Sequence, residues 1–248
     1  MILMNWFHRL ASPKWFYDIS GKLLPWFVGV AILLLITGVV WALAFAPVDY
    51  QQGNSYRIMF IHVPSAILAQ SSYMIMALAG VVYLVWRIKL ADIAMACCAP
   101  VGASITFLAL LTGSVWGKPT WGTWWVWDAR ITSTLVLFFL FAGMMALRSA
   151  MERSEAAGRA CAVLGIVGVV NIPIIKFSVE WWNSLHQPSS FTLTEKPAMP
   201  PEMWMPLLVM VLAFYFFFFS AWMIRIRGEI VFREFRADWV KKEVFGEL

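Results

Sequence analysis

Trp116-Gly-Lys-Pro-Thr-Trp121-Gly-Thr-Trp-Trp125-Val-Trp-Asp128-Ala-Arg130 is the stretch on which the reading of the fold turns. It holds a third of the chain's 15 tryptophans. Uncharged apolar runs flank it, at about 93–115 and about 131–147. A bilayer-spanning helix needs about 20 mainly apolar residues, so both runs qualify as spans. The stretch between them then reads as the edge of a membrane domain, built to hold a large, flat aromatic ligand.

Working outward, four more segments meet the same criterion, at about 24–45, 58–86, 160–177 and 203–224. The fifth span is interrupted by Asn171, Pro173 and Lys176. The whole composition agrees: 61% of the 248 residues are apolar and 13% charged, against about 45–50% and about 25% in soluble proteins. The expected fold is all-α: a polytopic integral membrane protein with six transmembrane helices, forming one membrane domain over 1–248. Trp6, Phe7, His8 and Arg9 precede Lys14, Asp18 and Lys22 before any long apolar run begins, a pattern that does not read as a signal peptide. No phosphate-binding glycine-rich loop is present, so ATP hydrolysis is not expected of this chain. Cys97, Cys98 and Cys161 lie inside apolar runs with no Cys-x-x-Cys spacing, which points away from disulfide, thiol-redox and zinc chemistry.

Six spans place both termini on one side. Arg9, Lys14, Lys22, Arg87, Lys89, Arg148, Arg153, Arg159, Arg225, Arg227, Arg233, Arg236, Lys241 and Lys242 share that side. Arg57, Lys118, Arg130, Lys176 and Lys196 are on the other. Cytoplasmic loops carry the excess of Lys and Arg, so both termini are expected in the cytoplasm and the tryptophan stretch, 116–130, on the outer side. The net charge of +5 therefore reports topology and not affinity for nucleic acid. The outer side also collects the unusual chemistry: a short polar first loop running into Ile61-His62-Val63-Pro64, and a third loop carrying Glu180-Trp181-Trp182-Asn183-Ser184-Leu185-His186. The cytoplasmic loops read as ordinary charged connectors.

If 120–130 is helical, Trp121, Trp124, Trp125 and Asp128 fall on one face at i, i+3, i+4 and i+7, with Trp127 turned elsewhere. One reading of these rings is an interfacial anchor. The other is a platform on which a planar aromatic molecule stacks. Arg130 suits an anionic substituent of such a molecule; alternatively, Asp128 and Arg130 orient the segment itself. Of three histidines, His8 reads as a solvated tail residue. His62 and His186 come from separate outer loops, and either alone reads as a hydrogen-bonding side chain. Together, beside an aromatic platform, they suit the two faces of one haem, since imidazole is a good axial ligand to iron. Gln70, Ser71, Ser72, Asn171 and Lys176 either line a path through the bilayer or bond helix to helix, the commoner use.

Residues 121–130 match the pattern WGxxWxWDxR, the signature of tryptophan-rich membrane proteins that handle haem during cytochrome c maturation. The length, the six spans, the two outer histidines, Tyr50-Gln-Gln-Gly-Asn-Ser-Tyr-Arg57, His62-Val-Pro64, Gly117-Lys-Pro119 and Val179-Glu-Trp-Trp-Asn183 resemble the CcmC family within that group. The CcmF family is longer, with more spans and histidines. The similarity extends from about Pro25 to His186. It implies a haem b held at the periplasmic edge of the bacterial inner membrane, with His62 and His186 as axial ligands. Trp116, Trp121, Trp124, Trp125, Trp127, Asp128 and Arg130 would form the rest of the site. It implies delivery of that haem to the periplasmic chaperone CcmE, and association with the ABC-type proteins CcmA and CcmB and the small protein CcmD. The sequence offers no obvious acid, base or nucleophile for a covalent step, so an accessory or delivery factor is expected and not an enzyme. Transport of haem through the bilayer, and a scaffold whose tryptophans dock a partner, are the competing readings.

Overall fold

The computed structural model describes residues 11–151, 154–182, 184–186 and 199–246. Trp6, Phe7, His8, Arg9, Arg153, Asn183 and Lys196, named above, lie outside these. Six helical segments among the described residues are long and apolar enough to cross a membrane, as expected. Among the described residues there is no strand, only one isolated bridge between Asp49 and Gly53.

The first span is α1, Pro13–Val40, continued by a π-helical turn, Trp41–Phe45. It starts about three turns before the expected 24, because Ser12 caps it and Pro13 suits a first helical position. A 3₁₀ turn, Ser55–Ile58, leads into α2, Met59–Trp86. Then come α3, Lys89–Trp121, and α4, Ala129–Ala150. The fifth span is two helices, α5, Glu155–Val167, and α6, Asn171–Trp181, joined by a 3₁₀ turn at Gly168–Val170. Pro173 explains the joint: it has no N–H to bond the carbonyl of residue 169. The sixth span is α7, Pro201–Arg233, followed by the short α8, Asp238–Glu243.

Tyr73, Met76, Met95, Leu137, Phe141, Met144 and Phe218 form a fully or almost fully buried core shared by α2, α3, α4 and α7. The polar side chains within the spans bond locally. Gln70 donates to its own helix at Ala66 (3.1 Å), Tyr215 donates to Ser71 (2.8 Å), and Asn171 donates to the Ser133 carbonyl (2.9 Å). These are bonds within and between helices, the commoner use of such residues in spans.

At the end of the bundle away from the tryptophan stretch, the arginines expected as simple connectors do more. Asp92, in the first turn of α3 and 6% exposed, accepts both terminal nitrogens of Arg148 on α4, at 2.5 Å each. It also accepts from Arg233 on α7 at 2.7 Å, whose Nε donates to Glu229 (2.8 Å). One carboxylate therefore ties together the ends of three spans.

Candidate functional site

At the other end, the order begins in the first loop. The Asp49 carboxylate accepts the backbone N–H groups of Gln51 (2.9 Å) and Gln52 (2.7 Å). Arg57 donates to the carbonyls of Ala42, Leu43 and Ala46, filling acceptors left open where the first span ends. The loop so fixed presents Gln52, whose side-chain oxygen accepts the Trp116 indole N–H at 2.7 Å. Trp116 in turn lies edge-on to His62, with ring centroids 5.7 Å apart.

His62 sits one turn into α2 and faces α3. Its Nδ1 lies 3.0 Å from the Ala109 carbonyl and 3.2 Å from the Thr112 hydroxyl. A carbonyl only accepts, so Nδ1 carries the proton, and the neutral ring keeps its lone pair on Nε2. Gly113 makes room for this ring: a Cβ there would lie 2.9 Å from His62 Cε1.

The tryptophan stretch is not one helix. α3 ends at Trp121 because Gly122 takes the left-handed conformation (φ 78°) and returns its N–H to Lys118. The next residues are irregular, and α4 starts at Ala129, capped by the Asp128 carboxylate on the Ile131 N–H (2.8 Å). The single aromatic face expected over 120–130 is therefore not formed. Glycine at a helix end and aspartate at a helix start outweigh the i, i+3, i+4 spacing. Trp121 comes to His186, with centroids 5.8 Å apart. Trp125 and Trp127 pack on each other (5.4 Å), and Trp124 and Trp127 stand exposed.

His186 is brought in from the third loop. Ser184 donates to the Asp128 carboxylate and accepts the His186 backbone N–H at 3.1 Å. Arg130, in the first turn of α4, donates to the Ser178 hydroxyl (3.1 Å) and the Lys176 carbonyl (3.2 Å) on α6. It also approaches His186 Nδ1 at 3.4 Å. Asp128 and Arg130 thus orient the segment and the loop beside it.

The two histidine rings end 6.2 Å apart, centroid to centroid, with a 30° angle between planes. Among the described residues no group of three or more His, Cys, Asp or Glu gathers. Such a pair suits a metal whose other positions are filled by its own ligand. Of the expected site residues, His62, His186, Trp116, Trp121, Asp128 and Arg130 are joined in one contiguous network. Trp124 and Trp127 stand exposed beside this network, and Trp125 packs on Trp127 with its indole nitrogen buried. Gln52 and Ser184 lie in stretches that the sequence singles out, though nothing there marks them as site residues; Thr112, Gly113 and Ser178 also belong to the network and had no marker in the sequence, because each acts through a small or common group.

Fold and site together define a class: a six-span helical membrane protein with a tryptophan-rimmed histidine pair at one end of its bundle. The model of the CcmC family, described as heme exporter protein C, matches residues 6–241. The chain is 49% identical to heme exporter protein C of Haemophilus influenzae, over 96% of this chain and 97% of that protein. It is 47% identical to that of Escherichia coli K12, over 95% of each. It is 38% identical to that of Paracoccus denitrificans, over 89% of this chain and 91% of that protein. This chain belongs to the CcmC, or heme exporter protein C, family. The match runs well past the limits of about Pro25 to His186 expected from the motifs.

Proposed function

We propose that this protein holds a haem b at the membrane edge and presents it to a partner that carries it into cytochrome c maturation. The observation that carries the reading is the 6.2 Å between the His62 and His186 rings. Two metal–imidazole bonds of about 2 Å, with the distance from each nitrogen to its ring centre, make up a separation of this size. The donor set fits as well. The Ala109 carbonyl fixes His62 with Nε2 available, the kind of outer-shell bond that accompanies a metal-ligating histidine. Trp116 and Trp121 flank the pair with apolar, polarisable rings.

Haem is the cargo. The chain contributes position: it fixes two ligands, shields the ring, and leaves the rim of Trp124 and Trp127 open to a partner. Holding two reactants in register lowers the barrier to their joining, so no acid, base or nucleophile is required of this chain, and it acts as a delivery factor. The partner to which it delivers is the chaperone CcmE, and it works beside CcmA, CcmB and CcmD. The family name speaks of heme export. The polar side chains of the spans are engaged in helix contacts, which supports presentation over a polar route through this bundle. The protein is placed in the inner membrane as a single domain. Its histidine pair faces the periplasm and both termini lie in the cytoplasm, on the excess of Lys and Arg at the Asp92 end.

An optical spectrum tests this. Purified wild-type protein should carry a Soret band, and His62→Ala and His186→Ala should each shift or lose it. A wild type with no band under haem-replete expression, or a band unmoved in both variants, would remove the ligand assignment. Gly113→Ala gives a finer check. Alanine favours the helix by about 1 kcal/mol, but crowding a tied, partly buried ring costs about as much or more, so thermal stability should hold or fall slightly. The added methyl crowds Cε1 of His62, so haem retention should fall. A normal band with normal retention would show that His62 has slack the geometry does not suggest.

A further inference from the structure

At the end of the bundle away from the histidines, α4 and α7 both pack on α3 but, among the described residues, hardly touch each other. The Asp92 cluster clasps their ends. Below the clasp α3 shows Ala96 and Pro100, whose small or compact side chains leave the gap between α4 and α7 unfilled. The result is a groove of about 560 Å³, within the range of about 300–1,000 Å³ common for small-molecule sites. Its walls are apolar where Met144 and Met145 of α4 face it, and Met145, Ser149 and Arg225 stand exposed along its open side.

The margin of the groove is cationic. Arg148 lines it from α4 and Arg225 from α7. Each is the first charged residue after an apolar run, at about 131–147 and about 203–224, so both guanidinium groups lie at the depth where hydrocarbon gives way to headgroups. Among the lining residues there is one carboxylate, Glu229, and it is bonded to Arg233 (2.8 Å). The excess of Lys and Arg places this end in the cytoplasm, where the facing leaflet carries anionic lipid and basic pockets between spans take lipid headgroups. We infer that the groove on α3 between α4 and α7 is a binding site for an anionic phospholipid of the cytoplasmic leaflet, with an acyl chain along Ala96, Pro100 and Met145 and the phosphate between Arg148 and Arg225. A guanidinium gives a phosphate charge-assisted, paired bonds, and an acyl chain satisfies the apolar walls. The size of the groove argues against a partner helix: about one turn of a helix 10–12 Å across would fill it. A lipid so held bridges two helices that otherwise meet only at the clasp, and it should therefore stabilise the bundle.

The full-length protein, delipidated in detergent, is titrated with dioleoyl phosphatidylglycerol, dioleoyl phosphatidylcholine and glycerol phosphate. Bound lipid is counted by native mass spectrometry and the thermal midpoint is followed. Phosphatidylglycerol should bind saturably at one per chain and raise the midpoint by about 5 °C. Phosphatidylcholine should bind more weakly, and glycerol phosphate should have no effect. Arg225→Gln should leave the lipid-free midpoint unchanged and cut affinity for phosphatidylglycerol about tenfold, to that for phosphatidylcholine. Ala96→Leu fills the groove and should weaken binding of both lipids. Equal binding of the two lipids by wild type, or a preference for phosphatidylglycerol that survives Arg225→Gln, overturns the headgroup assignment. An equal rise with glycerol phosphate means a simple anion site, and unaltered binding by Ala96→Leu means that no chain lies in the groove; either overturns the lipid. In intact membranes, a benzophenone side chain in place of Met145 should label phospholipid on illumination. A labelled protein helix there would show that the groove belongs to a partner instead.

Discussion

Asp92→Ala should lower the stability of this protein by about 3–5 kcal/mol, the usual cost of removing one partner from a buried ion pair. The Asp92 side chain is 8% exposed and faces two guanidinium groups, from Arg148 at 2.5 Å and Arg233 at 2.7 Å. Without it, two cations are left side by side at the ends of α4 and α7, where the Glu229 carboxylate bonds Arg233 but no longer has Asp92 beside it. Ionisable groups inside a membrane domain persist where they are paired, so the effect is larger than for an exposed pair, whose worth is about 0–1 kcal/mol. Asp92→Asn keeps one acceptor oxygen and should fall between wild type and alanine. Arg159→Ala, which breaks only the exposed pair with Glu155, should change little. The midpoint of thermal unfolding in detergent, followed by size-exclusion chromatography, ranks the variants. Equal midpoints for Asp92→Ala and Arg159→Ala would show that the buried network contributes nothing to holding the helices together. The histidine pair lies at the far end of the bundle, so haem retention below the unfolding midpoint should be unaffected.

The same network shows what the amino-acid sequence discloses and what it conceals. Six spans are legible because hydropathy is a local, additive property: about 20 apolar residues announce a helix regardless of what it packs against. The Asp92 cluster is not legible. Its partners are 56 and 141 residues away in the chain, and an aspartate in the first turn of a helix is ordinary for its interaction with the helix dipole alone. Arg148 and Arg233 count correctly toward the charge asymmetry, yet their role is set by packing. At the site, His62, His186 and the tryptophans stand out because their residue types are rare and chemically loaded. What prepares them does not. The proton on His62 is placed by the carbonyl of Ala109, a group that every residue possesses. The space for its ring is a missing side chain at Gly113. The periodicity of Trp121, Trp124, Trp125 and Asp128 misleads for a related reason. Spacing proposes a helix, but the left-handed Gly122 and the extended Asp128 divide the segment between the end of α3 and the start of α4.

Asp128 is where that division has its largest consequence, and Asp128→Ala should damage the fold and the site together. One carboxylate oxygen caps α4 at the Ile131 N–H (2.8 Å), and loss of such a cap costs about 0.5–2 kcal/mol. The other oxygen accepts the Ser184 hydroxyl, which itself receives the His186 backbone N–H. Alanine removes both, so α4 loses its cap and the loop bearing His186 loses its tether. Three variants separate the effects. Asp128→Ala should lower both thermal stability and haem retention. Ser184→Ala should spare the cap and stability but release His186, lowering retention and moving the ferric spectrum toward the high-spin form. Asp128→Asn should keep the cap, because asparagine serves there as well as aspartate. The charge that holds Ser184 is lost, so it should resemble Ser184→Ala. The decisive comparison is the spectrum of Ser184→Ala. If it keeps the wild-type band and retention while Asp128→Ala loses both, Asp128 acts on the site only through the start of α4, and the tether to His186 has no part in placing the ligand.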